Sequence, residues 1–537
     1  MIGAAMKPHR ILIITAAIVL AAACAWLVWP LTDERLVIVA DERLRARKND
    51  YLSGVRPRRG PNIILLLADD LSVYDVSRFG GTNLATPNID AIGAEGVTFT
   101  RAYCTSPICA PSRSSLLTGR YHQRTGFELQ PMNRYPKNRL EYYAYKNFIL
   151  PRTGEWQIAP LAPVPPESAY AAQGMPSEEI SLPEILSRAG FATACIGKWH
   201  LGYGSDRIPT ARGFRDQYGF YEAFTLYAPV NATNIVSSRH TYFSDRHMWA
   251  QERKGLSAIR KNGVIIDEKE YLTFAIAREV NDHIRTKASA GSPFFLYAAF
   301  NAPHTPFQVP VSYYDKFRHI TDHNRRVYYA MISALDDAIG SITRTLSECG
   351  LDENTLVFFA SDNGAATYAG VDNLPLRQGK FTFFEGGVRV PMMMRWKGHI
   401  APRTVDAPVS LMDIYATSMA SVGIPRPKDR PIDGVDLSRL ENGSDRGRML
   451  FWRTLYVRAA IRDQWKIIVD DRAGRTWLYD IGNDPGEHND RAAEHPDVVN
   501  AMKKSIADWE RGLTPARWPR VMDFRYRVDD TYLLFPL

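Results

Sequence analysis

The chain has 537 residues, 45% of them hydrophobic and 23% charged, a composition that excludes a collagen, a coiled coil or a wholly disordered protein. Its 66 Lys and Arg against 58 Asp and Glu leave a net charge of +8. Residues 1–60 hold ten of the basic and five of the acidic side chains, largely in the run from Arg43 to Arg59. The remainder is near neutral and carries no nucleic-acid footprint.

In chain order, Ile11 to Trp29 is an uncharged apolar stretch, long enough to cross a bilayer as a helix. Lys7 and Arg10 precede it and Asp33 and Glu34 follow, which favours an amino terminus in the cytoplasm and everything after Pro30 outside. A cleaved signal peptide, processed near Ala21-Ala22-Ala23, is the rival reading. Either way the protein is exported, to the periplasm in a bacterium. Sequons stand at Asn231 and Asn442. The five cysteines, Cys24, Cys104, Cys109, Cys195 and Cys349, are too few and scattered for a disulfide framework, and none sits at a structural-zinc spacing.

Residues 31–60 read as a polar, basic linker. Apolar runs then alternate with helical patterns, as in an α/β fold with a mostly parallel sheet flanked by helices. Asn62–Leu67, Phe191–Ile196, Pro293–Phe300 and Thr355–Ala360 are buried strands; Ser181 to Gly190 is a short helix opened by Ser181 and Glu184 as a capping box. A longer helix carries Val327, Met331, Leu335, Ile339, Ile342 and Leu346 on one face and stops at Gly350. Residues 127–178, rich in Tyr, Pro and Arg and without a period, read as a loop over an active site. From about residue 425 the texture changes to Leu455–Ile461, Trp465–Val469 and Trp477–Tyr479 as strands, then a helix from Pro496 to about Leu513. The expected division is an anchor over 1–30, the linker, a catalytic domain over 61–424 and a smaller α+β subdomain over 425–537.

Ligands in open α/β sheets bind beyond the carboxyl ends of the strands. Here the strands run into Asp69-Asp70, Lys198 and His200, His304, and Asp362-Asn363. Either acidic pair alone reads as a turn. Together Asp69, Asp70, Asp362 and Asn363 offer hard oxygen ligands that suit Ca²⁺ or Mg²⁺ better than zinc. Lys198, His200 and Lys380 add cations, a set suited to a tetrahedral oxyanion. Cys109-Ala110-Pro111-Ser112-Arg113, followed by Leu117-Thr118-Gly119-Arg120, places Cys109 at a helix entrance where free N–H groups favour an anion. Arg113 follows one turn on.

CAPSRSSLLTGR (Cys109 to Arg120) resembles the signature of the type I sulfatases, the arylsulfatase family of the alkaline phosphatase superfamily. GKWHLG (Gly197 to Gly202), FNAPHTPF (Phe300 to Phe307), EGGVRVP (Glu385 to Pro391) and LYDIGNDPGEHND (Leu478 to Asp490) are similar to its other segments, and the resemblance runs from about residue 61 to 513. It implies an alkaline phosphatase-like fold and conversion of Cys109 to formylglycine by a maturation enzyme. It implies calcium bound by Asp69, Asp70, Asp362, Asn363 and the modified Cys109. Arg113 would hold the nucleophile, Lys198, His304 and Lys380 would grip the sulfate, and His304 or Lys380 would assist the leaving oxygen. His200 would take the proton that releases sulfate. The implied activity is hydrolysis of an alcohol, sugar or aryl sulfate. Relatives of the same fold that cleave phosphonate monoesters or phosphodiesters are the alternative, and a non-catalytic binder of sulfated glycans is a third reading. Substrate identity and oligomeric state are open at this point.

Overall fold

Six apolar residues in a row from Ile63 carry no period-two alternation, the pattern of a strand covered on both faces. The computed structural model, which describes residues 8–240, 242–441 and 447–537, places them in β1 (Asn62–Asp69), buried along its whole length. The sequon at Asn442 lies outside the described residues, while Asn231 is exposed. The companions of β1 are β2 (Ala192–Lys198), β3 (Asp216–Phe220), β4 (Phe294–Pro303), β5 (Thr355–Ser361) and β6 (Met392–Arg395). They lie side by side in the order β6-β5-β1-β4-β2-β3 within a ten-stranded sheet. The strands from β5 to β3 are mutually parallel, and β6 is antiparallel to β5. Leu65 pairs with Tyr297 on one side and Phe358 on the other, which levels the carboxyl ends of the central strands.

Ile63, Leu65 and Leu67 pack on one face with Leu116, Leu117, Leu182 and Ile185 from the helices Cys109–Thr118 and Leu182–Arg188. Ile64, Leu66 and Ala68 pack on the other with Ile276, Val327, Met331 and Leu335 from the helices Leu272–Ser289 and His323–Glu348. The helix read around Val327–Leu346 is thus present, and Gly350 follows it with φ 67. The Ser181 N–H donates to the Glu184 carboxylate at 2.9 Å, as a capping box requires.

The carboxyl-terminal part is a four-stranded antiparallel meander, Met449–Thr454, Val457–Arg462, Trp465–Asp470 and Arg475–Asp480. The helix Pro496–Glu510 covers one face through Val499, Met502 and Ile506, and Trp452 and Trp477 on the other join the large core. A last hairpin, Met522–Val528 with Thr531–Pro536, takes Trp156–Ile158 as its third strand. Residues 127–178 are therefore stitched into the fold rather than looped out.

The apolar helix spans Pro8–Val28, has no buried residue, and is long and apolar enough to cross a membrane. The chain leaving it docks at once: Leu31 N–H donates to the Lys137 carbonyl and Val164 N–H to the Leu31 carbonyl, both at 3.0 Å. Residues 31–60, read from sequence as a linker, carry a helix, Glu42–Gly54, whose Leu52 is buried. Its Lys48 pairs with Glu184.

Candidate active site

Each of the four strand ends delivers its polar residues to one point. Asp69 closes β1 and Asp70 follows it; Lys198 closes β2 with His200 just beyond; His304 follows β4; Asp362 and Asn363 follow β5. Asp70 and His200 adopt φ of 61° and 55°, and Phe381, next to Lys380, a φ of 67°. Left-handed backbone at non-glycine residues costs of order 1–3 kcal/mol each and gathers where a site fixes its side chains.

The helix Cys109–Thr118 is buried at every residue and aims its amino terminus at the same point. Pro111 in its first turn sacrifices no hydrogen bond, because that turn's N–H groups have no intrahelical partners. Gly119 stops it with φ 68°, where a Cβ would strike the Tyr415 ring.

Around Cys109 the polar groups interlock. Its thiol donates to Asp69 Oδ1 at 3.5 Å and accepts from Lys380 Nζ at 3.2 Å. Lys380 also donates to both oxygens of Asp70, at 2.7 and 2.8 Å. Lys198 Nζ meets Asp69 Oδ2 at 2.6 Å, and Arg113 Nε meets Asp362 Oδ2 at 2.8 Å. Asn363 Nδ2 donates to Asp70 Oδ1 at 2.7 Å, and His304 Nε2 stands 3.5 Å from Asp70 Oδ2. All ten residues singled out in the sequence are within this cluster or on the cavity above it.

Three buried carboxylates, Asp69, Asp70 and Asp362, face three buried cations, Arg113, Lys198 and Lys380. Burial pushes Asp69 and Asp70 upward, yet Lys198 beside Asp69 and Lys380 beside Asp70 bring both below the usual carboxylate range. Asp362 goes the other way, because burial and the charge of Asp69 outweigh Arg113. Burial lifts the Cys109 thiol well above its ordinary value, so as a cysteine it is a poor nucleophile near neutral pH. Burial and neighbouring lysines push His304 down to about 4 and His200 well below the usual imidazole range. Both rings are therefore neutral at pH 7. Neither ring nitrogen of His200 has a hydrogen-bond partner among the described residues.

Donor atoms of Asp69, Asp70, Cys109 and His304 lie within 4.8 Å of one another. Asp362 stands one hydrogen bond away, its Oδ1 accepting from the Asp70 N–H at 3.3 Å. Asn363 Oδ1 is buried without a hydrogen-bond partner among the described residues, a costly state unless a cation takes it up. The carboxylates and this amide oxygen fit a hard divalent ion.

Above the cluster opens a cavity of about 210 Å³, floored by Cys109, His200, His304 and Lys380. Residues 127–178 supply much of its wall, including Met132, Tyr135, Tyr145, Leu150 and Trp156, as the reading of that segment anticipated. Sequence reasoning missed Tyr297, whose hydroxyl accepts from Arg113 Nη1 at 3.3 Å. A lone hydroxyl in the apolar run PFFLYAAF was the available signal. It also missed Met522 and Leu537, which reach the cavity through the last hairpin.

Residues 61–424 match the sulfatase family profile. N-acetylgalactosamine-6-sulfatase of Rattus norvegicus is 35% identical over 382 residues, covering 70% of this chain and 65% of the relative, a little under two thirds of its length. The Homo sapiens protein of the same name is 30% identical over 497 residues, covering 85% of this chain and 87% of its own. Among solved structures, Ps i-CgsB superposes with a TM-score of 0.71 at 28% identity, covering 86% of this chain and 95% of that one. It has also been crystallised with k-i-k-neocarrahexaose.

Proposed function

The chain belongs to the sulfatase family, and from that premise we propose that it hydrolyses sulfate esters of an alcohol, sugar or aryl group, with its catalytic part outside the cytoplasm and the Pro8–Val28 helix as its membrane anchor. The observation that carries this reading is the convergence of Asp69, Asp70, Arg113, Lys198, His200, His304, Asp362, Asn363 and Lys380 on the helix start at Cys109.

Asp69, Asp70, Asp362 and Asn363, with the converted Cys109, would hold a calcium ion that would act as a Lewis acid toward sulfate oxygens, and Cys109, once converted to formylglycine by a maturation enzyme, would supply the attacking oxygen. The chain's own groups do the rest. Arg113, fixed by Asp362 and Tyr297, holds position 109 in the cationic floor. Lys198 and Lys380, both buried, neutralise charge on the sulfate oxygens, and low solvent exposure strengthens such contacts. Lys380 and His304 stand on the cavity side and serve the departing alcohol oxygen. His200, neutral and with neither ring nitrogen hydrogen-bonded among the described residues, would accept the proton of position 109 as sulfate leaves.

The test uses full-length protein from its native host. Mass spectrometry of the peptide carrying residue 109 is expected to show sulfhydryl sulfur replaced by an aldehyde oxygen. The same protein is expected to release sulfate from 4-nitrophenyl sulfate and to act more slowly on 4-nitrophenyl phosphate, with Cys109→Ala inactive. Active protein with an intact thiol at 109, or a preference for the phosphate, would overturn the reading.

A further inference from the structure

We propose that Glu222 sets the charge specificity of the cavity: its carboxylate favours a sulfate ester whose alcohol carries an ammonium group and disfavours one that carries a second anion. This rests on the sulfate-ester reading and concerns the same site.

Glu222 reaches the cavity by the same route as the residues of its floor. β3 lies parallel to β2, and Glu222 follows it two residues beyond Phe220, at the carboxyl edge of the sheet. Trp199 N–H donates to the Phe220 carbonyl at 3.0 Å and His200 N–H to the Tyr221 carbonyl at 3.2 Å, so the two strand ends run on side by side. Tyr221 N–H and Glu222 N–H share the Leu256 carbonyl, at 3.0 and 3.3 Å, which pins the segment. The end of β3 therefore feeds the same site as the ends of β1, β2, β4 and β5, and Glu222 is half-buried on the cavity that Cys109 floors.

Among the described residues that line the cavity, Glu222 is the one carboxylate. Its Oε1 accepts from the Ala223 N–H and its Oε2 from Asn133 Nδ2, both at 2.9 Å. Both donors are neutral. The cation whose charge reaches it is Lys198, and that lysine is already held by Asp69 at 2.6 Å. The cations of the lining are spent elsewhere as well. Lys380 donates to both oxygens of Asp70, while Arg134 pairs with Glu141 at 2.7 Å and lies over the Tyr145 ring. Burial raises the Glu222 carboxyl above its ordinary value, as befits a group short of positive partners. A carboxylate balanced only by neutral donors on a concave wall attracts a cation and repels an anion. Tyr135, Tyr145, Trp156 and Phe224 stand on the same lining, and ring faces attract a cation too. A sulfate at the floor thus meets Lys198 and Lys380, and a positive group further along the alcohol meets Glu222.

The experiment uses the full chain with residue 109 verified as converted, at pH about 8, which favours the ionised carboxylate. The probes are sulfates of para-substituted phenols of similar acidity: 4-(2-aminoethyl)phenyl sulfate, 4-ethylphenyl sulfate and 4-(carboxymethyl)phenyl sulfate. Wild-type kcat/KM is expected to fall in that order, with the ammonium ester at least about tenfold above the carboxylate ester at low salt and the gap narrowing at high salt. Glu222→Gln keeps the shape and loses the charge, and is expected to bring those two esters within about twofold of each other. Glu222→Asp keeps the charge and is expected to preserve the order. A wild-type ratio near one overturns the assignment and leaves the sulfatase reading intact. So does a ratio unchanged in Glu222→Gln, the result if Glu222 only braces Asn133 and the Ala223 N–H. Converted protein that hydrolyses none of the three esters overturns the sulfate-ester reading as well.

Discussion

Lys198 Nζ and Asp69 Oδ2 meet at 2.6 Å, and neither side chain has any exposure to solvent. One lysine thus closes a parallel strand and neutralises the carboxylate that closes a strand two places away in the sheet. Breaking such a pair strands a charge in the interior, which costs about 3–5 kcal/mol. Lys198→Ala is expected to lose stability on that scale in urea denaturation, and kcat by about 10²–10³-fold as a cation at the sulfate is removed. A variant with native stability and near-native kcat would show that Lys198 neither compensates Asp69 nor serves the ester.

The unsatisfied Asn363 Oδ1 gives a test of the ion that does not depend on turnover. A cation at about one hundred times its Kd stabilises the folded protein by about 2.7 kcal/mol. Calcium is expected to raise the Tm of the wild-type protein by a few degrees, roughly what that energy produces in a domain of this size. Asn363→Leu keeps the bulk and removes the ligand, and its Tm is expected to respond little to calcium. An equal response in both proteins would remove Asn363 from the ligand set.

Much of this site was legible because a buried parallel strand is a local signal and its end is abrupt. In Asn62–Asp69 and Thr355–Ser361 the apolar run stops where the chain leaves the sheet, and the polar residues just beyond must sit at the sheet's carboxyl edge. Cys109 was legible for a similar reason, since Pro111 and Gly119 bracket one helix. What was not legible depends on distant partners. Met522–Val528 alternates Asp, Arg and aromatic residues, and becomes a strand by pairing with Trp156–Ile158, far away in sequence. The helix Glu42–Gly54 reads as a basic run until Lys48 finds Glu184. The cavity wall inherits both difficulties, because it is assembled from residues 127–178 and the last hairpin together.

Asp75 predicts how stability varies with pH away from the catalytic cluster. Burial raises its carboxyl from 3.8 to about 7, partly offset by the Tyr328 hydroxyl that donates to it at 2.6 Å. Between these values the folded protein binds a proton that the unfolded chain has released, so stability falls as pH rises through the window and levels off above it. The full difference is roughly 4 kcal/mol. Asp75→Asn is expected to flatten that part of the curve and to be at least as stable as wild type at pH about 8. Parallel wild-type and variant profiles in denaturation across the window would rule this group out as its source.

Lys466 joins the carboxyl-terminal meander to the large sheet domain. It is fully buried, with Nζ 2.9 Å from a carboxylate oxygen of Glu385 and 2.9 Å from one of Glu487. The Tyr103 hydroxyl donates to Glu385 at 3.1 Å, and the Glu385 N–H donates to Glu487 at 2.6 Å. Burial raises Glu487 to about 7 even with the lysine beside it. Lys466→Met leaves two carboxylates facing each other in the interior and is expected to cost about 3–5 kcal/mol at pH about 8. The sign of the pH dependence follows from the protons. Without the lysine Glu487 titrates higher still, so acidification protonates it in the folded state and the deficit shrinks towards pH about 5. Adding Glu385→Gln removes one of the two charges and is expected to restore part of the loss at pH about 8, a coupling that a double-mutant cycle in urea reads directly. A deficit that is the same at both pH values and additive with Glu385→Gln would mean that Lys466 acts through packing alone.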